Sequence, residues 1–189
     1  MRRIAVVGCS GSGKTTLSRG VARSLGLRHI ELDGIFHQPG WVPLPVPEFR
    51  QRLSAQLEEA SGGWITDGNY NSAVGDLIQE RADTIVWLDL SRPLVMRRIV
   101  LRTLRRFLTR EVLWNGNREP LSNFWRWDPE RNVIRWAWTS HPRNRERYEQ
   151  CAADGSWAHA RVVRLRTPDE VARFERDCAA AQSWPAFLT

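Results

Sequence analysis

The residues best suited to chemistry lie near the start of the chain. Gly8-Cys9-Ser10-Gly11-Ser12-Gly13-Lys14-Thr15, followed by Thr16, fits the pattern G-x-x-x-x-G-K-[ST] at every defined position. The context suits it. Ile4-Ala5-Val6-Val7 reads as a buried strand, and Leu17, Val21 and Leu25 recur four apart, which predicts a helix over 16–25. In such a strand–loop–helix the glycines let backbone N–H groups turn inward around a phosphate, and the helix N-terminus adds partial positive charge. Gly8, Ser10, Gly11, Ser12, Gly13, Lys14, Thr15 and Thr16 are therefore the expected contacts to a nucleoside triphosphate such as ATP. Lys14 would reach the β- and γ-phosphates, and the Thr15 hydroxyl would join the shell of a Mg²⁺ ion. Of 28 basic residues, Lys14 is the one lysine; the rest are arginines. A compact ammonium stands where a planar fork would be too broad.

Acidic residues follow three later apolar runs, at Asp33, Asp67 and Asp89. Strands alternate with helices along the chain, which predicts a parallel sheet covered on both faces. Ligands of such sheets bind beyond the carboxyl ends of the strands, where these acids fall. Asp33 is the candidate contact to an acceptor hydroxyl, or the base that takes its proton, with Glu31 two residues earlier on the same strand face. Asp67 and Asp89 compete as the outer-shell partner of Mg²⁺, the run before Asp89 being the cleaner strand. Arg98 and Arg102, four apart on the longest expected helix, would share one face and present guanidinium forks to phosphoryl oxygens. Arg105, Arg106 and Arg110 are expected to be solvated.

The elements that must hold these residues follow from periodicity. A strand is expected at 29–32, ending at Asp33-Gly34, then a stiff proline-rich stretch and an amphipathic helix from Pro47 through Phe49, Leu53 and Leu57. Further strands are expected at 64–66, 84–89 and 162–165, with a short helix over 73–80. Ser91-Arg92-Pro93 opens the long helix, whose apolar side is read as Leu94, Ile99 or Val100, Leu101, Leu104 and Leu108. Five of the ten tryptophans fall between Trp114 and His141. This stretch, 114–145, is read as a lid insertion that would exclude water, with Arg118, Arg131 and Arg135 as phosphate-facing candidates. Within it, Asp128-Pro129 starts a helix that Pro142 is expected to break. Thr167-Pro168-Asp169-Glu170 caps a last helix, and the tail 182–189 is expected to be loosely held.

The length suits a single domain, 1–189, with an acceptor-binding region at 34–62. No apolar run approaches a membrane span, and three cysteines form neither a disulfide framework nor a metal-ligand spacing, so a reducing cytoplasm is the default. Cys9, inside the loop near helix N–H groups that tend to lower a thiol pKa, is read as an inert small loop residue, with an oxidation-sensitive thiol as the alternative. The net charge of +7 suggests a polyanionic partner, which nucleotides and nucleic acid both satisfy.

Several segments carry a resemblance. Arg98-Ile99-Val100-Leu101-Arg102 is similar to the lid-opening R-I-x-x-R of adenylate kinases, whose arginines touch ATP. Ile30-Glu31-Leu32-Asp33 resembles the D-x-D strand of shikimate kinases, and Trp64-Ile65-Thr66-Asp67-Gly68-Asn69-Tyr70 occupies the place of the adenylate kinase D-G-F-P-R segment without its arginine. More closely, the phosphate loop, Leu32-Asp33, Pro39-Gly40-Trp41, Asp67-Gly68-Asn69-Tyr70, Ala82-Asp83 and Trp114-Asn115-Gly116-Asn117-Arg118-Glu119 are similar to a bacterial family labelled DNA topology modulation protein or adenylate kinase-like ATPase. The resemblance implies a three-layer α/β/α P-loop NTPase fold, a five-stranded parallel sheet of order 2-3-1-4-5 and a helical lid. It also favours Asp67 over Asp89 for the metal. The expected activity is ATP- and Mg²⁺-dependent phosphoryl transfer to a small hydroxylated or phosphorylated metabolite. Lys14, Asp33, Arg98 and Arg102 would be catalytic, with Arg118 an added nucleotide contact. A nucleotide-dependent nucleic-acid-binding protein and a simple ATPase switch are the alternatives.

Overall fold

The computed structural model describes residues 1–118 and 133–183. Its main sheet is parallel and five-stranded: β1 (Arg3–Gly8), β2 (Arg28–Glu31), β5 (Trp64–Asp67), β6 (Thr84–Leu88) and β7 (Arg161–Leu165), in spatial order β2-β5-β1-β6-β7. Numbered as they occur among these five, the strands run 2-3-1-4-5, as expected. The central strands are buried along their length because both faces are covered. Along β1 successive side chains point to opposite faces. Ala5 and Val7 join a core with α3 (Val46–Glu59) and α4 (Asn71–Gln79), while Ile4 and Val6 join one with α1 (Lys14–Leu25) and α7 (Pro168–Ser183). Helix α1 buries Leu17 and Val21, each contributing about 1.5–3 kcal/mol relative to exposure. It ends at Gly26, whose positive φ lets its N–H reach the Ala22 carbonyl.

Four local readings change. The strand at 29–32 stops at Glu31, and Asp33 lies in the first turn of a short helix, α2 (Leu32–Phe36). The proline-rich stretch forms a two-residue antiparallel hairpin, β3 (His37–Gln38) with β4 (Val42–Pro43), across a 3₁₀ turn. On α5 (Arg92–Thr109) the buried arc is Val95, Ile99 and Thr103, while Leu101, Leu104 and Leu108 are exposed. The periodicity was satisfied by more than one arc, and packing onto the phosphate loop selected this one. Finally, α6 (Val133–Ala153) runs straight through Pro142. A proline leaves the carbonyl four residues earlier without its helical donor. Here that carbonyl belongs to Trp138, and the Arg92 guanidinium donates to it at 2.8 Å while lying 3.4 Å from the centre of the Trp138 ring. The helix start at Asp128-Pro129 falls outside the described residues.

Arg92→Ala is expected to cost about 1–2 kcal/mol, combining a charged hydrogen bond with an exposed cation–π contact. In a Pro142→Ala background, where the residue-142 N–H is restored, the cost should shrink measurably. Urea titrations of the four proteins in this double-mutant cycle measure the difference.

Candidate active site

The phosphate loop connects β1 to α1 and is shaped by glycines in conformations that side chains resist. Gly8, Gly11 and Gly13 have φ of 148°, 79° and 96°. A Cβ on Gly11 would run into the Ile99 side chain, so α5 sits directly on the loop. From the next position Arg98 donates to the Ser12 carbonyl at 3.0 Å. The Lys14 ammonium turns back onto its own loop, donating to the Gly8 and Cys9 carbonyls at 2.9 Å each. Burial pushes it below its usual pKa. Asp67 and then Asp33 oppose that shift, and Arg102 reinforces it. These charges therefore belong to one electrostatic cluster, as the strand ends bring them together. Ser10 and Thr15 are partly buried beside the loop and Thr16 is exposed.

The two competing acids are placed differently. Asp89 is buried, and Arg164 donates to its Oδ2 from Nε at 3.0 Å and from NH2 at 2.6 Å, with Arg145 at 3.4 Å from Oδ1. Arg164 also lies 3.9 Å over the Trp87 ring and bonds Glu149, so Asp89 anchors β7 and α6. Asp67, at the end of β5 and only 3 % exposed, has His29 Nε2 at 3.4 Å from Oδ1. Its Oδ2 is buried with no hydrogen-bond partner, as is Ser12 Oγ. Glu31, its register neighbour on β2, pairs with Arg19 of α1 at 3.0 Å. An unsatisfied carboxylate oxygen close to Lys14 fits a hydrated Mg²⁺, which holds few direct protein ligands. Among the described residues, no group of three or more His, Cys, Asp or Glu gathers around one point.

On the other side of the loop, Asp33 Oδ1 accepts from the Tyr70 hydroxyl at 2.6 Å, and Tyr70 Oη lies 3.2 Å from His37 Nε2. With the Tyr70 proton directed to Asp33, the tautomer that completes this chain carries its proton on Nε2. Burial pushes the Tyr70 phenol far up, Asp33 adding to it, and burial pushes the His37 imidazole down against the pull of Asp33. Aromatic rings enclose the chain: Phe36 packs on Tyr70, while Trp41 and Trp114 flank His37.

The segment expected to open the lid is fastened to this wall. Asn115 Nδ2 donates to the carbonyls of Gly34 and His37, and Asn117 Nδ2 to that of Gln38. Trp41, at a positive φ of 61°, donates its backbone N–H to Asn117 Oδ1 and its indole N–H to the Arg118 carbonyl. Residues 114–118 are thus held against residues 34–41. The Arg118 side chain is exposed there, and Arg135 is exposed on α6; Arg131 lies outside the described residues. At Cys9 the helix-terminus tendency does not prevail: burial raises its thiol pKa, outweighing the nearby Lys14, and its Sγ lies 3.7 Å from the His141 carbonyl. Sequence reasoning missed the roles of Tyr70, His37, Asn115 and Asn117. The Asn115-Gly116 pair, with both residues at positive φ, was the available sign of a specialised turn.

The architecture defines the class: a P-loop NTPase α/β fold, its phosphate loop between the central strand and the first helix. A gluconokinase from Sinorhizobium meliloti 1021 superposes with a TM-score of 0.50 at 20 % identity, covering 96 % of this chain and 91 % of the other. A shikimate kinase from Acinetobacter baumannii in complex with shikimate gives 0.50 at 18 % identity, over 94 % and 90 %. No family model matches the chain, and no curated protein matches it. No helix among the described residues is long and apolar enough to cross a membrane.

Removing Asp89 strands two arginines beside a buried site. Asp89→Ala is expected to lower stability by about 2–4 kcal/mol, discounted because Arg164 is partly exposed. Chemical denaturation tests this. A fully stable variant would show that the pair contributes nothing.

Proposed function

We propose that this protein is an ATP- and Mg²⁺-dependent phosphotransferase acting on a small metabolite with an acceptor hydroxyl. The observation that carries the reading is the juxtaposition around Lys14. The loop's Gly8 and Cys9 carbonyls accept from the ammonium, buried Asp67 with its unpartnered Oδ2 and Asp33 both act on its charge, and Asp33 is bonded to Tyr70, which reaches His37. Phosphoryl transfer needs positioning and concentrated positive charge more than covalent help.

In this reading the loop amides of 8–16 cradle the triphosphate, and Lys14 leaves its two carbonyls for the β- and γ-phosphate oxygens. Thr15 and Asp67 hold the Mg²⁺ shell. The ion supplies charge neutralisation across the phosphates when bound. Arg98, poised at the Ser12 carbonyl, and Arg102 one turn on offer guanidiniums to the moving phosphoryl, with Arg118 as a further nucleotide contact. The acceptor oxygen bonds to the terminal phosphorus, the bond to the leaving oxygen breaks, and the acceptor's proton passes to Asp33. Tyr70 holds that carboxylate in position by its hydrogen bond. The acceptor lies between Asp33, the 36–41 segment and Asp67-Gly68-Asn69-Tyr70, with the 114–145 stretch as the lid. The fold shared with a gluconokinase and a shikimate kinase supports a small-molecule acceptor. The chain's likeness to DNA topology modulation proteins supports a second reading, nucleotide-dependent nucleic-acid binding, which the net charge of +7 also favours.

A screen of metabolites for acceptance of labelled phosphate from ATP is expected to identify at least one acceptor. ADP release that no added small molecule accelerates would sink the kinase reading. With that acceptor, Lys14→Ala should lower kcat by about 10²- to 10³-fold or more. Asp67→Asn should raise the Mg²⁺ concentration needed for half-maximal rate, whereas a change in kcat alone would remove Asp67 from the metal shell.

A further inference from the structure

A cavity lies away from the phosphate loop, at the opposite end of the sheet, where β1 and β5 begin. It measures about 340 Å³, at the lower end of the range for small-ligand sites. Three arginines, Arg2, Arg3 and Arg81, are among the residues lining it, with Glu58 as the one acid. Its floor is apolar, made by Leu57 at the end of α3 and Trp64, which is 3 % exposed. Gly63 lets the chain pass closely beneath: its φ is 115°, and a Cβ there would collide with the Arg2 carbonyl.

The arginines that line it are not held by carboxylates as others are. Arg19, Arg50 and Arg52 each hold one, as does Arg28 in register with Trp64 at this same end. The guanidiniums of Arg2, Arg3 and Arg81 make no ion pair with any described residue. The nearby acid, Asp83, is directed elsewhere. Its Oδ2 accepts from the backbone N–H groups of Arg2 and Arg3 at 2.8 and 2.9 Å, and its Oδ1 from Thr84 Oγ1 at 2.8 Å. Asp83 thus ties down the backbone that carries two of the arginines and leaves their charges to the cavity.

We infer that this cavity is a second anion site, taking a small molecule with two or more phosphate or carboxylate charges and an apolar or planar part against Leu57 and Trp64. Forked guanidiniums suit either anion, and three of them around one concavity favour a multiply charged one. The site is separate from the phosphate loop, since Arg3 and Gly8 stand at opposite ends of β1, roughly 17 Å apart at strand rise. A concavity of this size admits a small ligand more readily than a duplex, whose phosphates need an extended surface.

Calorimetric titration with inorganic pyrophosphate, citrate and a short DNA duplex tests this at fixed ionic strength. In the intact protein pyrophosphate should read two sites per chain, the phosphate loop and this cavity, and the double variant Arg3→Gln, Arg81→Gln should read one. In Lys14→Ala protein, checked for folding by circular dichroism, the remaining site should persist. Adding the two arginine substitutions should then weaken it by about tenfold or more, the scale of a lost charged hydrogen bond. Pyrophosphate binding more tightly than citrate assigns a phosphate ligand, and the reverse a polycarboxylate; either supports the site. A single pyrophosphate site that vanishes with Lys14 and no citrate binding overturns it, as does binding of the duplex alone.

Discussion

The structure depends on the close seating of α5 against the phosphate loop. Ile99 fills the space a side chain on Gly11 would need, and Arg98 holds the Ser12 carbonyl. A loop built to face its amides inward leaves its carbonyls facing outward, and those carbonyls need donors. Arg98 supplies one from outside and Lys14 two from inside. The same contact fixes which arc of α5 is buried, which turns Arg98 and Arg102 toward the loop and leaves Leu101, Leu104 and Leu108 exposed.

A second constraint is the assignment of buried and half-buried acids to separate tasks. Asp89 is neutralised by Arg164 and Arg145 and ties β7 and α6 to the sheet. Asp83 pins the start of β1 through two backbone amides. Asp67 alone among these keeps a buried oxygen without a partner, and Asp33 is shared with a phenol. A carboxylate already neutralised by an arginine is a weak metal ligand. An unsatisfied one beside an ammonium is costly unless something completes it. Which of these acids is already satisfied thus follows from their partners rather than from the strands that precede them.

The surroundings of Asp33 are built differently, from aromatic rings and amide side chains. Asn115 and Asn117 stitch residues 114–118 to 34–41 through carbonyls that the short hairpin leaves open. Trp41 is held at a positive φ by two hydrogen bonds from its own N–H groups. Conformations of that kind persist where the surroundings over-determine them. The wall around Asp33 is therefore a joint product of two segments more than seventy residues apart.

Local pattern determined the strand–loop–helix at the start of the chain, the strand order once the likeness to P-loop kinases was included, and the position of Asp67 and Asp89 at the carboxyl ends of their strands, whereas Asp33 falls in a short helix. These depend on short-range sterics and on periodicity, which neighbouring residues carry by themselves. Only the tertiary structure decided that Arg164 occupies Asp89, that Tyr70 and His37 attend Asp33, and that Arg92 stabilises the helix across Pro142. Each of those is a contact between groups 33 to 75 residues apart. A hydrogen bond across such a span depends on how the layers pack, and no local arrangement of residue types encodes which distant donor will meet a given acceptor.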